Sequence, residues 1–595
     1  MSIVNYNKLG LRVGIEIHQR LNTKKLFCNC SSLQSEESEK EIKRKIRPVA
    51  GELGEIDPAA LYEFLRNRTF VYRLYQGETC LVELDEEPPH PLNREALKIG
   101  LQICMLLNCT IPDEIHVMRK TVIDGSNTGG FQRTAIIGMN GEIKTSTGLI
   151  KIETVALEEE AARIEERRGD EIVYKLNGLG IPLIEIATSA DIHSPEQAKE
   201  VAEKIGMLLR ATNVQRGIGT IRQDVNISIA GGARIEVKGF QELADIPKLV
   251  ENEAKRQASL IEIKKELQKR GLKEIKEAED VTKLFENAQC NFIKKNKPKK
   301  ILALKLEKFA GLLKKECGDR TFGKELSAYA GAYGYGIIHS DEDLEKYKLN
   351  NEFRKMREKL KAKDEDAVLI IAGDNPEKAM EAVKKRAGQC SIGVPEETRV
   401  ADGVGSKYTR PLPGSERMYP ETDIPPIVIN REVLESIEIP ETLEERERAL
   451  QKILPKELAR QIINSDYLEI FEEIDGDPIL AATTLTSTIT DLKRKGFRIE
   501  KIHKKDFVEI FELVKKKEIS KDSVPSALEM VINGNKNEIK KTLGLMDDEE
   551  MEKIVKDIIK KNKDLNEKAL MGLAMEKLRG RAEGKRVMEI VRKSL

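Results

Sequence analysis

The sequence predicts an α+β multidomain protein, and three observations carry that expectation. Short β-type runs dominate residues 1 to about 255. Composition then turns Lys-rich and helical, and a compact α/β unit follows that looks inserted between two parts of something else. From about residue 431 to the end the apolar spacing is helical throughout. A chain of 595 residues has room for roughly three to five domains on a length prior.

In the first block, Leu11–Ile17, Glu114–Ile123, Thr134–Ile137, Gly148–Glu153 and Arg234–Val237 read as strands. Asn93–Leu107 and Pro195–Thr212 read as helices, the second with Ser194 as N-cap, Pro195 in the first turn and Glu196 behind it. Residues 251–318 are expected to be helical, broken by Pro298 within the basic run Lys294–Lys300. The inserted unit continues through Asp319–Leu326, a strand at Ala367–Ala372 and a helix at Pro376–Gly388. Ala401–Pro426 is rich in Gly and Pro (Arg410–Gly414, Tyr419–Pro420, Ile424–Pro426), which disfavours helix and suggests an ordered loop or return strand. Helices are expected at Leu443–Leu454, Lys456–Asn464, Ala481–Lys495, Lys505–Lys517, Ser523–Asn533, Asp547–Asn562 and Glu567–Leu578.

The 101 basic residues balance the 101 acidic ones, so nucleic-acid binding would have to come from local patches. Residues 501–595 provide one, with 23 Lys/Arg against 18 Asp/Glu. No apolar run is long enough to span a bilayer, and Met1–Gly10 lacks a signal-peptide core. Eight scattered cysteines do not make a disulfide framework, which fits a reducing cytoplasm.

Five segments carry the chemistry: Gly14-Ile-Glu16-Ile-His18, Leu157-Glu158-Glu159-Glu160-Ala161, Ile181-Pro-Leu-Ile-Glu185-Ile186, Ile221-Arg222-Gln-Asp224-Val-Asn226 and Ile235-Glu236-Val-Lys238. Strand alternation puts Glu16 and His18 on one side of a pleat. Buried carboxylates need partners. Several strands aiming acids at one place therefore suggest a cation, and oxygen ligands favour Mg²⁺. Solvent-facing halves of amphipathic strands are the alternative. The loop Asp124–Gln132, with Ser126, Gly129 and Gly130, is the best cradle for a phosphate or ribose, and Arg119 and Lys120 precede it; an ordinary hairpin loop is the alternative. Cys28-Asn29-Cys30 has the look of half a zinc site and Cys80 adds a third thiol, but no fourth ligand is apparent, and structural zinc wants four. No Ser/His/Asp or Cys/His arrangement for amide hydrolysis emerges.

These motifs, with Asn177–Ala198, Arg234–Leu243, Tyr419–Pro426, Ala569–Gly572 and Arg579–Gly584, resemble the GatB/GatE family of tRNA-dependent amidotransferase subunits. The likeness covers the chain outside the insertion. The insertion itself, at about 281–405, resembles that of bacterial-type aspartyl-tRNA synthetases, and with the run Leu157–Arg163 it favours the GatE branch. The resemblance implies a β-rich cradle domain (1–280, returning at 406–430), the inserted domain (281–405), a helical domain (431–505) and a YqeY-like tail (506–595).

It also implies an activity. ATP would phosphorylate the side chain of glutamate attached to tRNA(Gln), and ammonia would displace the phosphate. The ammonia would come from a GatD-type, asparaginase-like glutaminase, in a heterodimer or a dimer of heterodimers. By the same resemblance His18, Glu158 and Glu185 would hold one Mg²⁺. Glu16 and Asp224 would complete a second position near Glu158, with Glu159 as the neighbour that could replace it. Arg222 and Lys238 are chosen on chemistry as anion-stabilising groups. Two other functions stay open: a catalytically silent tRNA-binding scaffold, and a GatB-like subunit that also serves Asp-tRNA(Asn).

Overall fold

The computed structural model describes residues 5–594 apart from 50–53, 218, 273, 297, 413–417, 466, 547, 563–564, 579–580 and 583. Met1–Val4, Lys297, Pro413, Gly414, Asp547, Arg579, Gly580 and Glu583, each part of a segment read above, thus lie outside the described residues. The chain forms two compact units, Met1–Pro440 and Glu441–Leu595.

The first unit is built on a ten-stranded sheet. Its strands are β1 (Arg12–Arg20), β2 (Val117–Thr121), β3 (Phe131–Thr145), β4 (Gly148–Glu159), β5 (Pro182–Thr188), β6 (Ile221–Ser228), β7 (Ile235–Phe240), β8 (Glu397–Asp402), β9 (Gly405–Pro411) and β10 (Met418–Pro420). Across the sheet the order is β9-β8-β7-β6-β1-β5-β4-β3-β2-β10. Neighbours run antiparallel except β7 and β8, which are parallel.

One face of this sheet is apolar. Val13, Ile15, Ile17, Val155, Leu157, Ile184, Ile186, Val225 and Ile227 are wholly buried in one core, beneath the helices α1 (Arg94–Leu106), α2 (Pro195–Arg210) and α3 (Ile246–Arg270). Each such side chain contributes about 1.5–3 kcal/mol by leaving water. The helices start where their caps dictate. Asn93 accepts from the N–H groups of Glu95 and Ala96, and Ser194 accepts from Gln197 with Pro195 in the first turn. The period-2 alternation that buries these residues turns Glu16, His18, Glu185 and Asp224 to the opposite face.

The stretch expected to be helical over 251–318 is so only to Arg270, where Gly271 ends α3 at φ 76°. Beyond it, Lys300–Leu306 is a strand paired with Ala367–Gly373, within a second, four-stranded sheet completed by Glu279–Asp280 and Ile338–His339. Ile301–Leu304 is buried residue after residue, and such a two-sided strand carries no alternation to reveal it. Helices α4 (Phe322–Gly331) and α5 (Glu377–Gly388) belong to the same stretch. β8 and β9 lie partly inside the segment assigned to the insertion, yet pair with the large sheet through β7.

The second unit is helical. Ala481–Lys495, expected as one helix, is α-helical at Pro478–Thr483, widens to a π turn at Thr484–Thr488 and resumes at Ile489–Arg494. The Thr486 and Thr490 hydroxyls donate to carbonyls four residues back, which loosens the ladder there. Its last three helices, Asp548–Lys561, Glu567–Leu578 and Gly584–Ser594, share a core of Val555, Leu570, Ala574, Leu578, Val587 and Val591. No helix among the described residues is long and apolar enough to cross a membrane.

Candidate metal centre on the polar face of the large sheet

Cross-strand register places the acids. His18 on β1 stands opposite Glu185 on β5 and opposite Arg222 on β6, while Glu16 stands opposite Asp224. On β4, Glu158 pairs with Leu183 of β5, two residues before Glu185. On β7, Glu236 pairs with Asn226 of β6. Directly opposed residues share a face. Lys120, Gln132, Glu158, Glu185, His18, Asp224, Glu236 and Lys238 therefore line one side of seven adjacent strands.

Two groups result. His18, Glu158 and Glu185 offer ligand atoms within 4.8 Å of one another. His18 Nε2 is 3.2 Å from Glu185, and Lys120 pairs with Glu158 and lies 3.8 Å from Glu185. Gln132 donates to Glu158 at 3.2 Å. The His18 Nδ1 atom is buried with no hydrogen-bond partner. Glu16, Asp224 and Glu236 form the second group, also within 4.8 Å. Lys238 lies 3.2 Å from Asp224 and 2.9 Å from Glu236, the Gly239 N–H donates to Asp224, and Asn226 donates to Glu16 at 2.9 Å.

The charges are uneven. Burial and then the Glu185 carboxylate push the Glu16 carboxyl up to about 7 and also raise Glu158. Burial works against ionised Glu185 too, but Lys120 and His18 hold it well below the usual carboxylate range. Burial opposes charge on Asp224 and Glu236 as well, and Lys238 holds both low. For Lys238 itself burial acts against the ammonium, but Asp224 and Glu236 raise it. His18 is desolvated, and Glu185 nonetheless raises it. Such a face suits a divalent cation taking oxygen ligands, since acids outnumber the cations that could neutralise them.

The sequence expectations meet this geometry unevenly. Glu158 faces His18 and Glu185, whereas Glu159 turns to Arg133, whose N–H it accepts at 3.0 Å. The second group is completed by Glu236 rather than Glu158. Of the two cations before the loop, Lys120 enters the acid face, while Arg119 points the other way and is bound to Glu421 at 2.7 and 2.8 Å and to Asp423 at 3.2 Å. Adjacent strand residues face opposite sides, so both could not serve one anion. Arg222 is held by Glu160 at 2.9 Å beside Arg20, which the same carboxylate binds at 2.6 Å.

The Asp124–Gly130 loop is pinned rather than open. Asp124 accepts from the Ser126 N–H and hydroxyl, and Ala162 donates to the Ser126 carbonyl. Tyr72 and Tyr174, from a small sheet beside the large one, donate to the Gly125 and Asp124 carbonyls. A Cβ on Gly129 would meet Asp85 at 2.8 Å, and one on Gly130 would meet Ile46 at 2.9 Å. The two glycines thus serve close packing here.

Beyond this loop, Cys28, Cys30 and Cys80 do come together, and the fourth member that the sequence did not reveal is Glu83. All four ligand atoms lie within 4.8 Å. The Cys28 thiol donates to Glu83 at 2.8 Å, the Cys80 N–H donates to its other oxygen, and Lys25 lies 3.5 Å away. The adjoining Cys28 side chain lowers Cys30 to about 7, while burial pushes Cys80 up to about 12. Three thiols and a carboxylate match in number the four ligands of a structural zinc site.

Comparison with known proteins agrees with the architecture. Residues 11–435 match the GatB/GatE catalytic domain, and residues 466–595 match the GatB domain. The E subunit of glutamyl-tRNA(Gln) amidotransferase from Methanocaldococcus jannaschii is 46% identical, with 100% of this chain and 99% of the relative covered. The proteins of the same name from Saccharolobus solfataricus and Archaeoglobus fulgidus are 45% and 43% identical, again with 100% and 99% coverage. With its sheet, its tail and its full length matched in this way, the chain belongs to the GatB/GatE family.

Proposed function

We propose that this chain is the ATP-dependent transamidating subunit of a glutamyl-tRNA(Gln) amidotransferase. The γ-phosphoryl group of ATP passes to the side-chain carboxylate of glutamate esterified to tRNA(Gln), and ADP leaves. Ammonia then attacks the acyl carbon, phosphate departs and a proton is lost, giving glutaminyl-tRNA(Gln). The observation that carries this reading is the pair of acid groups on one sheet face, in a chain related over its whole length to proteins of that name.

His18, Glu158 and Glu185 would hold one Mg²⁺, and Glu16, Asp224 and Glu236 a second. The donor sets fit, being mostly carboxylate oxygen with a surplus of negative charge. Bound Mg²⁺ supplies neutralisation of the phosphoryl oxygens. The protein's own groups position the reactants. Lys120 keeps Glu185 ionised and Lys238 keeps Asp224 and Glu236 so, and Arg222, fixed by Glu160, presents a cation beside the acids. Glu83 completes a site for one structural Zn²⁺ with Cys28, Cys30 and Cys80.

Ammonia is supplied by a GatD-type, asparaginase-like glutaminase, in a heterodimer or a dimer of heterodimers in the cytoplasm. The stretch with the four-stranded sheet corresponds to the aspartyl-tRNA synthetase-like insertion, and with the helical and tail domains it grips tRNA. The +5 excess over residues 501–595 supports that role for the tail. The test is conversion of Glu-tRNA(Gln) to Gln-tRNA(Gln) with ATP and free ammonia, with and without Mg²⁺. Conversion that needs Mg²⁺ is expected; Mg²⁺-independent conversion, or none even with the partner added, would overturn the reading.

A further inference from the structure

Away from the acid face, the first unit contains a cavity of about 370 Å³, within the roughly 300–1,000 Å³ of ligand clefts. Four of the chain's 12 tyrosines line it: Tyr62, Tyr329, Tyr333 and Tyr408. That concentration stands out in a chain that is 4% aromatic and has no tryptophan.

The cavity lies at the β8–β9 edge of the large sheet, on the face opposite the candidate metal centre. Thr398 donates to Glu236 of the acid face, whereas its neighbour Glu397 lines the cavity. Alternation separates the two chambers. A nucleotide held by the acid groups would therefore have its base elsewhere.

Part of the wall is rigid. The Tyr329 and Tyr408 rings stack at 3.9 Å with 9° between planes. The Tyr329 hydroxyl is tied to Glu397, and the buried Arg386 guanidinium lies 5.7 Å from the Tyr329 ring centre. On the opposite side Tyr62, in the helix Pro58–Leu65, and Tyr333, just beyond α4, remain partly exposed. That helix is pinned by Arg66, whose guanidinium covers the Tyr62 ring at 5.6 Å and donates to the Ala332 carbonyl at 3.1 Å. Along the mouth α5 presents Lys378 and Lys385, seven residues apart on one helix face and both exposed, with Gln389 one turn further. Glu381 and Glu396 also line the cavity, and Glu381 is offset by Lys384 at 3.7 Å.

Partly exposed aromatic rings beside solvent-facing cations are the pattern that binds single-stranded nucleic acid, since every base has a face to stack. Gln389 and Glu396 add acceptors that suit a ring amino group. We propose that this cavity receives an unpaired nucleobase of the RNA substrate, stacked against Tyr333 and Tyr62, with its flanking phosphates beside Lys378 and Lys385. The proposal rests on the reading that the chain handles tRNA. It adds an RNA contact remote from the reacting carboxylate.

The test is equilibrium binding of Glu-tRNA(Gln) to the full chain with its partner subunit. It compares the unaltered protein with Y333A, Y333F and the double variant K378A/K385A, and Mg²⁺-ATP affinity is measured on the same samples. Y333A is expected to weaken tRNA roughly ten-fold, as loss of one stacking ring does. K378A/K385A should also weaken it and flatten its salt dependence. Y333F should bind as the unaltered protein does, and ATP affinity should hold in all. Excess AMP or GMP should not displace the tRNA; displacement would mean that the cavity takes free nucleotide instead and would overturn the proposal. If Y333A proves misfolded, with ATP binding lost as well, the double variant of two exposed lysines decides alone. Unchanged tRNA binding by it, or by a folded Y333A, overturns the proposal. Should the unaltered complex bind no tRNA at all, the function proposed above fails first and the cavity's role falls with it.

Discussion

Two ionic clusters sit on opposite faces of the same sheet, and they are built differently. Beneath the helices, Arg256, Glu253, Glu325, Arg399 and Glu397 form a closed network. Arg399 meets Glu325 at 2.8 Å and Glu397 at 2.5 Å, and Arg256 meets Glu253 at 2.7 Å and Glu325 at 3.1 Å. Burial acts against ionised Glu325, but Arg399 and Arg256 hold it down at about 2. On the other face the acids are in excess, Glu16 is pushed up to about 7 and the His18 Nδ1 atom has no partner. A satisfied network fixes packing between α3, α4 and β8. An unsatisfied one is costly unless a ligand completes it. Satisfaction, more than burial, separates the structural cluster from the candidate metal centre.

Breaking the closed network should give the largest stability effect. Glu325→Ala leaves two buried guanidinium groups short of a partner and is expected to cost about 3–5 kcal/mol, read by denaturant unfolding. Activity at low temperature should survive in the molecules that remain folded. Glu158→Ala and Glu185→Ala should do the opposite. Each is expected to lower amidation by about 100-fold or more, and Glu158→Ala should change unfolding free energy by under about 1 kcal/mol, because it relieves like-charge crowding. A large stability loss with activity intact would erase the contrast.

The two clusters should also differ in pH response. Glu325 has a depressed carboxyl, so its contribution is complete above the ordinary value of 4.5 and is lost as pH falls towards about 2. Glu325→Gln should flatten acid unfolding in that window. Glu16 has a raised carboxyl, so without metal its ionisation costs stability increasingly as pH rises from 4.5 to about 7. Because the carboxylate is the metal-binding form, Mg²⁺ affinity should strengthen between pH 6 and 8, and Glu16→Gln should remove that slope. The smallest effect is expected at the thiol group. Cys80→Ser should abolish bound zinc, measured by atomic emission, and lower the melting temperature, whereas Glu83→Cys should keep the metal.

Much of this was legible from alternation and caps. The runs around Glu16, His18, Glu185 and Asp224 marked strands with one polar face, and Asn93 and Ser194 marked helix starts. Register was not legible, because which acids meet depends on pairing between strands far apart in sequence. Glu236 was visible in an alternating run, but only its pairing with Asn226 brings it to Glu16 and Asp224. Glu83 needed the turn in which the Cys80 N–H binds its carboxylate. The strand Lys300–Leu306 was hidden by being buried on both faces. Arg119 could have been set apart by the alternation that admits Lys120.

The contrast between the faces is tested most directly by Mn²⁺ titration followed by electron spin resonance, on the unaltered chain and on Glu185→Ala, Asp224→Ala and Glu325→Gln. Two saturable sites are expected in the unaltered protein, one lost with Glu185→Ala, the other with Asp224→Ala, and both retained in Glu325→Gln. No saturable binding, or sites that persist through both acid-face changes, would contradict it.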